Sequence, residues 1–571
     1  MPGSVVSGQT TRGPSDKGYS SLLNVGQAIP HSSSSSRKTF APLVAIALTG
    51  ILHPVSFPPF DLGWLAWVVL VPLQIILHDL PPKRALWYGW LAGTIAFAGT
   101  VTWVITAMHQ FGQVPIVVST LLMLLLATYL GLYLGLYAWG YATFQQKHPN
   151  LLWLGAPALW VTLEFLRTYA LTGFPWALLG YSQYQWLSVI QFADVTGVYG
   201  VSFLIVMGNV AITSLLLWIY KKTRGLATPR HWESTAGFVC ALSLVLVYGT
   251  WRVHQQADLD ASAHSLSIGL VQANIDQAVK WDEAYRDETF QRYATLSRQA
   301  GKNTDLLIWP EAATPFLFEQ EPAYQGRILE IVKDTHSPLL FGSPTLRFQP
   351  DGRPYLYNSA FILTPEGRVS GRYDKRHLVP FGEYIPLRSI LFFLDKLVVG
   401  IGDFHSGQGP MTLQIPTPST NTGPKFGVAI CFEVIFPDLV RRMSKEANFL
   451  VTITNDAWFG DSAAPYQHFG MVVFRAVENH LAFARAANTG ISGLIAPDGR
   501  ILTQTSIFSE QAVTGSLPLR SSSPTLYTEF GDVFSWGCVI IAGVLFIWCW
   551  FATPFSTRNS QPSPRSPREE S

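Results

Sequence analysis

The chain has 571 residues, of which 13% are charged and 48% apolar, with 19 Trp and a formal net charge of +2. Soluble globular chains carry roughly 25% charged residues, so this composition excludes an ordinary soluble protein. The balanced net charge gives no electrostatic reason to expect nucleic acid as a partner.

Residues 1–38 are polar and Ser-rich, with an unbroken run from Ser32 to Ser36, and read as a disordered tail. No secretory signal peptide is expected, because the first apolar run starts late and no small-residue cleavage site follows it. From Phe40 onward apolar segments come in series. Spans are expected near 40–57, 62–79, 85–107, 114–142, 151–170, 195–220 and 234–252, with an eighth near 534–550. Each approaches the ~20 residues that cross a bilayer core, although the first two are short and interrupted by proline. The resulting division is a seven-span bundle over 39–253, a polar domain over 254–525, an eighth span within 526–553 and a disordered tail over 554–571.

Basic residues orient this bundle. Arg37 and Lys38, Lys83 and Arg84, Lys147, the group Lys221, Lys222 and Arg224, and then Arg558, Arg565 and Arg568 all fall on one side if every segment crosses. The positive-inside rule makes that side cytoplasmic. Both termini are then cytoplasmic and the polar domain faces outward, into the periplasm if the membrane is a bacterial inner membrane. Within the fifth span, Glu164 and Arg167 read as a helix-end pair near the interface, the alternative being a polar cavity. Phe174-Pro175-Trp176 reads as an interfacial loop.

In the polar domain short apolar runs alternate with helical stretches, which argues an α/β layered architecture. Ser265 to Val271, Asp305 to Trp309, Pro338 to Gly342, Tyr357 to Leu363, Arg368 to Tyr373 and Phe449 to Ile453 read as strands. Tyr285 to Gln299 and Ala464 to Asn479 read as helices. Arg388 to Gly400, RSILFFLDKLVVG, is strongly apolar yet too short to cross a bilayer. It is either a buried helix or, over Ile390 to Val399, an apolar arm dipping into the membrane beside the active site.

Chemistry centres on four positions. Cys240, Cys538 and Cys549 lie inside apolar runs, which leaves Cys431 as the thiol of the polar domain, without a disulfide partner or a metal-ligand spacing. The stretch Lys425 to Asp438, KFGVAICFEVIFPD, reads as strand, sharp turn and helix with Cys431 at the tip, a geometry that exposes a nucleophile. Glu311 ends a buried-looking strand, Lys375 follows another, and Glu383 lies in a loop after it. A carboxylate can take the proton of a thiol whose ordinary pKa is ~8.5, and an ammonium can stabilise both the thiolate and an oxyanion. Taken singly, the same residues are as well explained by a loop carboxylate, a surface ion pair and a core thiol.

The blocks Trp309 to Glu311 (WPE), Tyr373 to Tyr384 (YDKRHLVPFGEY) and Ile430 to Glu433 (ICFE) resemble the three catalytic blocks of the nitrilase superfamily. Val271 to Trp281 (VQANIDQAVKW), Asn455 to His468 (NDAWFGDSAAPYQH) and the seven-plus-one topology are similar to its membrane-embedded branch, the apolipoprotein N-acyltransferases. The resemblance spans about residues 40–552. It implies a polytopic helical bundle of eight spans carrying a nitrilase-like α-β-β-α sandwich. It also implies catalysis by Glu311 as general base, Lys375 as stabiliser of thiolate and oxyanion, and Cys431 as nucleophile. Glu383 would support them, with Glu433 and Trp281 near the pocket and neither metal nor cofactor. The implied reaction is ping-pong. It moves the sn-1 acyl chain of a phospholipid, by resemblance phosphatidylethanolamine, through a thioester to the α-amino group of a diacylglyceryl-cysteine on an apolipoprotein. The position after the nucleophile, often Tyr in that family, is Phe432 here. The rivals are a membrane-tethered amidase and a transporter or receptor; few mid-span charges and no internal repeat speak against the latter.

Overall fold

A computed structural model describes residues 34–226, 232–302, 304–348, 352–386, 403–409, 411–416, 423–520 and 523–551. The tail up to residue 33, the C-terminal tail and the apolar stretch Ile390 to Val399 lie outside the described residues. From Pro42 onward the chain forms one unit.

The first part is helical: α1 (Ser34–Val55), α2 (Val71–Leu77), α3 (Pro82–Thr100), α4 (Trp103–Thr106), α5 (Ile116–Lys147), α6 (Leu152–Tyr169), α7 (Leu187–Ile190), α8 (Ala193–Thr196), α9 (Val198–Thr223) and α10 (Trp232–Ser262). The polar domain contributes α11 (Arg286–Gln299), α12 (Pro322–Thr335), α13 (Pro437–Ser444) and α14 (Ala464–Asn479). Two helices follow, α15 (Leu526–Phe530) and α16 (Val533–Phe551).

Among the described residues four helices, α5, α9, α10 and α16, are long and apolar enough to cross a membrane. A fifth candidate is α3 continued through Trp103–Phe111, bent by 52° at the break. The segments expected as spans one and two yield only the shorter apolar helices Ala41–Val55 and Gly63–Leu77, and α6, which carries Pro157, Glu164 and Arg167, does not join the long ones. Length and composition therefore support four or five crossings.

Packing inside the bundle follows small residues. A Cβ on Gly93 would stand 2.8 Å from the Gly131 carbonyl oxygen, and one on Gly131 would stand 2.6 Å from Thr94 Oγ1. Gly89 and Gly93 on α3 thus face Gly131 and Gly135 on α5, the small-residue spacing that lets helix backbones touch. Buried amides add ties across helices. Asn209 on α9 accepts from the Leu70 N–H at 2.8 Å and donates to Ala66 O at 2.9 Å, and Gln74 Nε2 donates to Tyr137 Oη at 2.9 Å.

Glu164 and Arg167 lie toward the end of α6, Arg167 in its last turn, and they face a polar cavity, the second of the two expectations. Both are buried and line a cavity of about 30 Å³ with His53, Phe97 and Tyr133. Glu164 Oε1 accepts from the Leu179 N–H at 2.7 Å, and the Arg167 guanidinium sits 5.0 Å from the centre of the Phe97 ring.

The polar domain has two six-stranded sheets. The first has the order β12-β1-β2-β3-β4-β5 and the second β11-β10-β9-β8-β7-β6. The strands are β1 (Ser265–Gln272), β2 (Leu306–Ile308), β3 (Leu339–Phe348), β4 (Pro354–Leu363), β5 (Val369–Asp374), β6 (Thr412–Gln414), β7 (Lys425–Ile430), β8 (Phe449–Thr454), β9 (Phe483–Ala487), β10 (Gly493–Ile495), β11 (Ile501–Gln504) and β12 (Gln511–Pro518). In each sheet three adjacent strands run parallel, β1-β2-β3 and β7-β8-β9, with antiparallel strands outside them.

Period-two alternation sends the two faces of each strand to different layers. Ile308, Leu340 and Ile362 join the core shared with Val428, Ile430 and Val451 of the second sheet. Their neighbours Leu307, Trp309, Phe341 and Phe361 face the opposite way and pack on Phe290, Tyr293, Ile328 and Val332 of α11 and α12. On the far side, α13 and α14 cover the second sheet, completing an α-β-β-α sandwich.

This sandwich is packed against the bundle through α14. Trp176, expected at a lipid interface, is buried between the two parts instead: its Nε1 donates to Gln467 Oε1 at 2.6 Å. Arg475 Nη2 donates to Tyr181 Oη at 2.7 Å and pairs with Glu478 Oε1 at 3.1 Å, and that oxygen also accepts the Val198 N–H at 3.0 Å, at the start of α9. Asp194 gathers Tyr248, Arg252 and His480 in the same way.

Breaking such a buried pair by removing one partner costs about 3–5 kcal/mol. Glu478→Ala strips the acceptor from Val198 and isolates Arg475, so thermal unfolding in detergent is expected at clearly lower temperature, with Glu478→Gln less affected. A Glu478→Ala variant with the parent's Tm would contradict this.

Candidate active site

The parallel strands place their carboxyl ends at one edge, where loops are free to carry polar groups. Asn274 follows β1, Glu311 follows β2, Lys375 follows β5, Cys431 follows β7, Asn455 follows β8 and Asn488 follows β9. β5 is antiparallel to β4, and β4 to β3, so Lys375 emerges at the same edge.

Glu311 sits on a turn that crosses directly over β3. A Cβ on Gly342 would lie 2.5 Å from Ala312 N and 2.7 Å from Glu311 Cα, so no other residue fits beneath the turn. Glu311 is 6% exposed and both of its carboxylate oxygens are engaged. Its Oε1 accepts from Asn358 Nδ2 at 2.7 Å and from Lys375 Nζ at 3.4 Å, and its Oε2 from the Asn455 N–H at 2.9 Å.

Lys375 is 1% exposed and also donates to Glu383 Oε1 at 2.9 Å. Burial alone would lower its pKa, but Glu383 and then Glu311 hold the ammonium above the ordinary lysine range. Asn358 Nδ2 reaches Glu383 Oε1 as well, at 2.9 Å, and Glu383 Oε2 accepts the Val379 N–H at 2.8 Å. Glu383 therefore fixes the loop after Lys375 as well as its charge.

Cys431 occupies left-handed backbone, φ +53°, which costs a non-glycine residue about 1–2 kcal/mol. The strain is held by Glu433. One of its oxygens accepts the Ile430 N–H at 2.7 Å; the other accepts the Arg376 N–H at 2.7 Å, the His377 N–H at 3.1 Å and Tyr373 Oη at 2.8 Å. Glu433 thus locks the elbow to the Lys375 loop from beneath. Cys431 as a residue is only partly buried. Burial of the side chain and then the charge of Glu311 push its pKa up, while Lys375 opposes them. These influences favour the neutral thiol. Phe432 offers no hydroxyl and packs on Phe436 and His377.

Trp281 behaves differently from the other expected residues: its side chain is 48% exposed. The residue before it points inward. Lys280 is 2% exposed and its Nζ donates to the main-chain carbonyl of Glu311 at 3.3 Å. Burial pulls this ammonium down to about 8 against the attraction of Glu311 and Cys431. Sequence reasoning missed it, although it lies inside the quoted VQANIDQAVKW block. The loop that bears it is clamped by Asn488, which bonds Ile275 on both sides, and by Asn455 Nδ2, which donates to Gln277 Oε1 at 2.7 Å.

The membrane-facing helices come close to this edge. Trp103 of α4 lies tilted against Trp176 and edge-on to Phe459, and Phe111 meets Trp458 edge-on. Phe459 and Trp458 belong to the turn that directly follows Asn455. Trp458 and Phe381 are both exposed, leaving apolar surface beside the site.

Two family models match: the apolipoprotein N-acyltransferase N-terminal domain over residues 49–211 and carbon-nitrogen hydrolase over residues 267–526. An apolipoprotein N-acyltransferase of Geobacter metallireducens is 41% identical over 506 residues, 87% of this chain and 93% of that protein. The chain belongs to the apolipoprotein N-acyltransferase family. An apolipoprotein N-acyltransferase of Pseudomonas aeruginosa is 32% identical over 517 residues, covering 89% of this chain and 94% of that protein. Among solved structures, Saccharomyces cerevisiae Nit3 of the nitrilase superfamily is 20% identical with a TM-score of 0.34, covering 44% of this chain and 90% of that chain. An amidase from Nesterenkonia sp. is 22% identical with a TM-score of 0.33, covering 45% and 91%. Family membership makes this chain an acyltransferase enzyme built on a carbon-nitrogen hydrolase domain.

Glu433 accepts four donors, so Glu433→Ala leaves several of them buried without a partner, at roughly 1–3 kcal/mol each. We expect loss of thiol reactivity together with a lowered Tm. Retention of parental alkylation rates at Cys431 in Glu433→Ala would show that the elbow does not depend on this carboxylate.

Proposed function

We propose that this chain moves the sn-1 acyl chain of a phospholipid, phosphatidylethanolamine in the first instance, to the α-amino group of the diacylglyceryl-cysteine of apolipoproteins. The reading places it in a bacterial inner membrane with eight spans, residues 39–253 and 526–553 forming the bundle. The catalytic domain, 254–525, lies on the periplasmic side and both termini are cytoplasmic. In support, two pairs of such ends meet: Lys221 Nζ is 3.1 Å from His78 Nε2, and the His148 ring lies tilted against Trp548 with 4.3 Å between centres.

The observation that carries the mechanism is the contact of Glu311 with the buried Lys375 ammonium beside a strained, partly exposed Cys431. In the first half-reaction Glu311 takes the thiol proton as sulfur attacks the ester carbonyl. Lys375 stabilises the sulfur and then the oxyanion without giving up its own proton. The C–O bond breaks, and Glu311 passes the proton to the departing lysophospholipid, leaving a thioester on Cys431. In the second half-reaction the amine attacks this thioester, an N–C bond forms and the C–S bond breaks. Glu311 carries the amine proton to the sulfur. The exposed Trp458 and Phe381, with the aromatic contacts to α4, supply apolar surface for an acyl chain at the membrane side of the thiol.

Intact-mass analysis after incubation with phospholipid tests this. The parent gains one acyl group that hydroxylamine removes; Cys431→Ala gains none. Glu311→Gln forms the thioester ~10²–10⁴-fold more slowly, the range of general-base contributions. Full-rate thioester formation in Glu311→Gln removes the base assignment, and a parent that gains no mass removes the thioester.

A further inference from the structure

Two lysines meet at this site, and their surroundings differ. Lys375 lies between Glu383 and Glu311, which keep it charged. Lys280 is as deeply buried, but its hydrogen-bond partner is a neutral main-chain carbonyl, that of Glu311, and among the described residues no carboxylate pairs with it. An ammonium without a counter-charge in a buried position is the form that burial disfavours. The ionisable groups that face it are Glu311, from the turn after β2, and Cys431, from the elbow after β7.

The proposed reaction has a proton that the Glu-Lys-Cys trio leaves unassigned. An α-amino group has a pKa of ~7.7–8.0 and is largely an ammonium near pH 7. To become an amide nitrogen it must shed two protons. One leaves as the N–C bond forms, and Glu311 delivers it to sulfur. The other must leave beforehand, because an ammonium has no lone pair with which to attack. A second base beside the thioester would take it from the bound ammonium, and Lys375, locked by two carboxylates, is not one.

We propose that Lys280, in its neutral form, is the base that takes this first proton from the acceptor ammonium. This deepens the reading above and rests on it. The step balances: the Lys280 amine and the acceptor ammonium exchange one proton, and the freed acceptor amine attacks the thioester. The second proton travels through Glu311 to the Cys431 sulfur, and Lys280 afterwards releases its proton to water. With its affinity for protons drawn down to about 8, Lys280 matches the amine it serves, so the transfer is close to even in free energy. The Asn488–Asn455–Gln277 clamp links the Lys280 loop to Asn455, whose N–H also holds Glu311. The two bases are thereby fixed relative to each other.

The test separates the half-reactions. Full-length protein in detergent is first acylated with phospholipid and freed of excess lipid. The thioester is then discharged either by a diacylglyceryl-cysteine peptide, an ammonium at pH 7, or by hydroxylamine, which is neutral at that pH. In Lys280→Met, discharge by the peptide is expected to fall ~10²-fold or more relative to discharge by hydroxylamine, and kcat falls rather than KM rising. Lys280→Arg keeps the buried donor but cannot act as a base, and it shows the same selective loss; it decides the matter if Lys280→Met does not fold. Equal slowing with both nucleophiles in Lys280→Arg, or none with the peptide, overturns the proposal. A parent protein that never forms the thioester overturns the ping-pong reading instead, a distinct result.

Discussion

The Lys375 ammonium is buried, and that is tolerable only because two carboxylates converge on it. An isolated charge in such a place costs several kcal/mol in lost hydration. Glu383 and Glu311 supply the counter-charge, but neither is placed by the lysine alone. Asn358, from β4, donates to both, and the Asn455 N–H, from the second sheet, donates to Glu311. Four segments from two sheets must therefore meet for one cation to be stable. The face-to-face packing of the sheets is what brings them together, and the position of the thiol follows from that packing.

The elbow adds a second constraint of opposite character. Cys431 is held in a conformation that costs energy, and the cost is offset locally by the four donors that Glu433 satisfies. One of these is the N–H of the residue after Lys375. The Lys375 loop and the Cys431 elbow are thus set by one shared carboxylate. Glu433 holds the backbone of the elbow while Glu311 faces the Lys375 ammonium, so two nearby glutamates occupy different surroundings.

Much of this placement was legible in the residues because the polar groups at strand ends sit beside strong local signals. The apolar run into Cys431, the WPE block at Glu311 and the turn chemistry around Lys375 each mark a strand and its exit. The inward direction of Lys280 rather than Trp281 was not legible. It depends on the loop's path, beginning at Asn274 with φ +51°, and on the Asn488 clamp from a distant strand. Trp176 was read as lying at a lipid interface because an aromatic with one polar atom suits that boundary and a domain interface equally. The burial of Glu164 and Arg167 was misread for a similar reason: sequence gives depth along a helix but not which side faces a cavity. The span count was read from apolarity, and among the described residues length and composition single out four or five of those helices.

The helix that leads into the catalytic domain has a mechanical consequence. α10 runs for 31 residues, about 46 Å at ~1.5 Å per residue, against ~30 Å of hydrocarbon. It ends three residues before β1 begins, and Tyr248 and Arg252 brace it against Asp194. The helix acts as a stalk of fixed height, and α16 returns on a second tether. A domain held by both ends has little freedom to swivel or sink. The height of the Cys431 elbow above the start of α10 is therefore a built dimension of the chain.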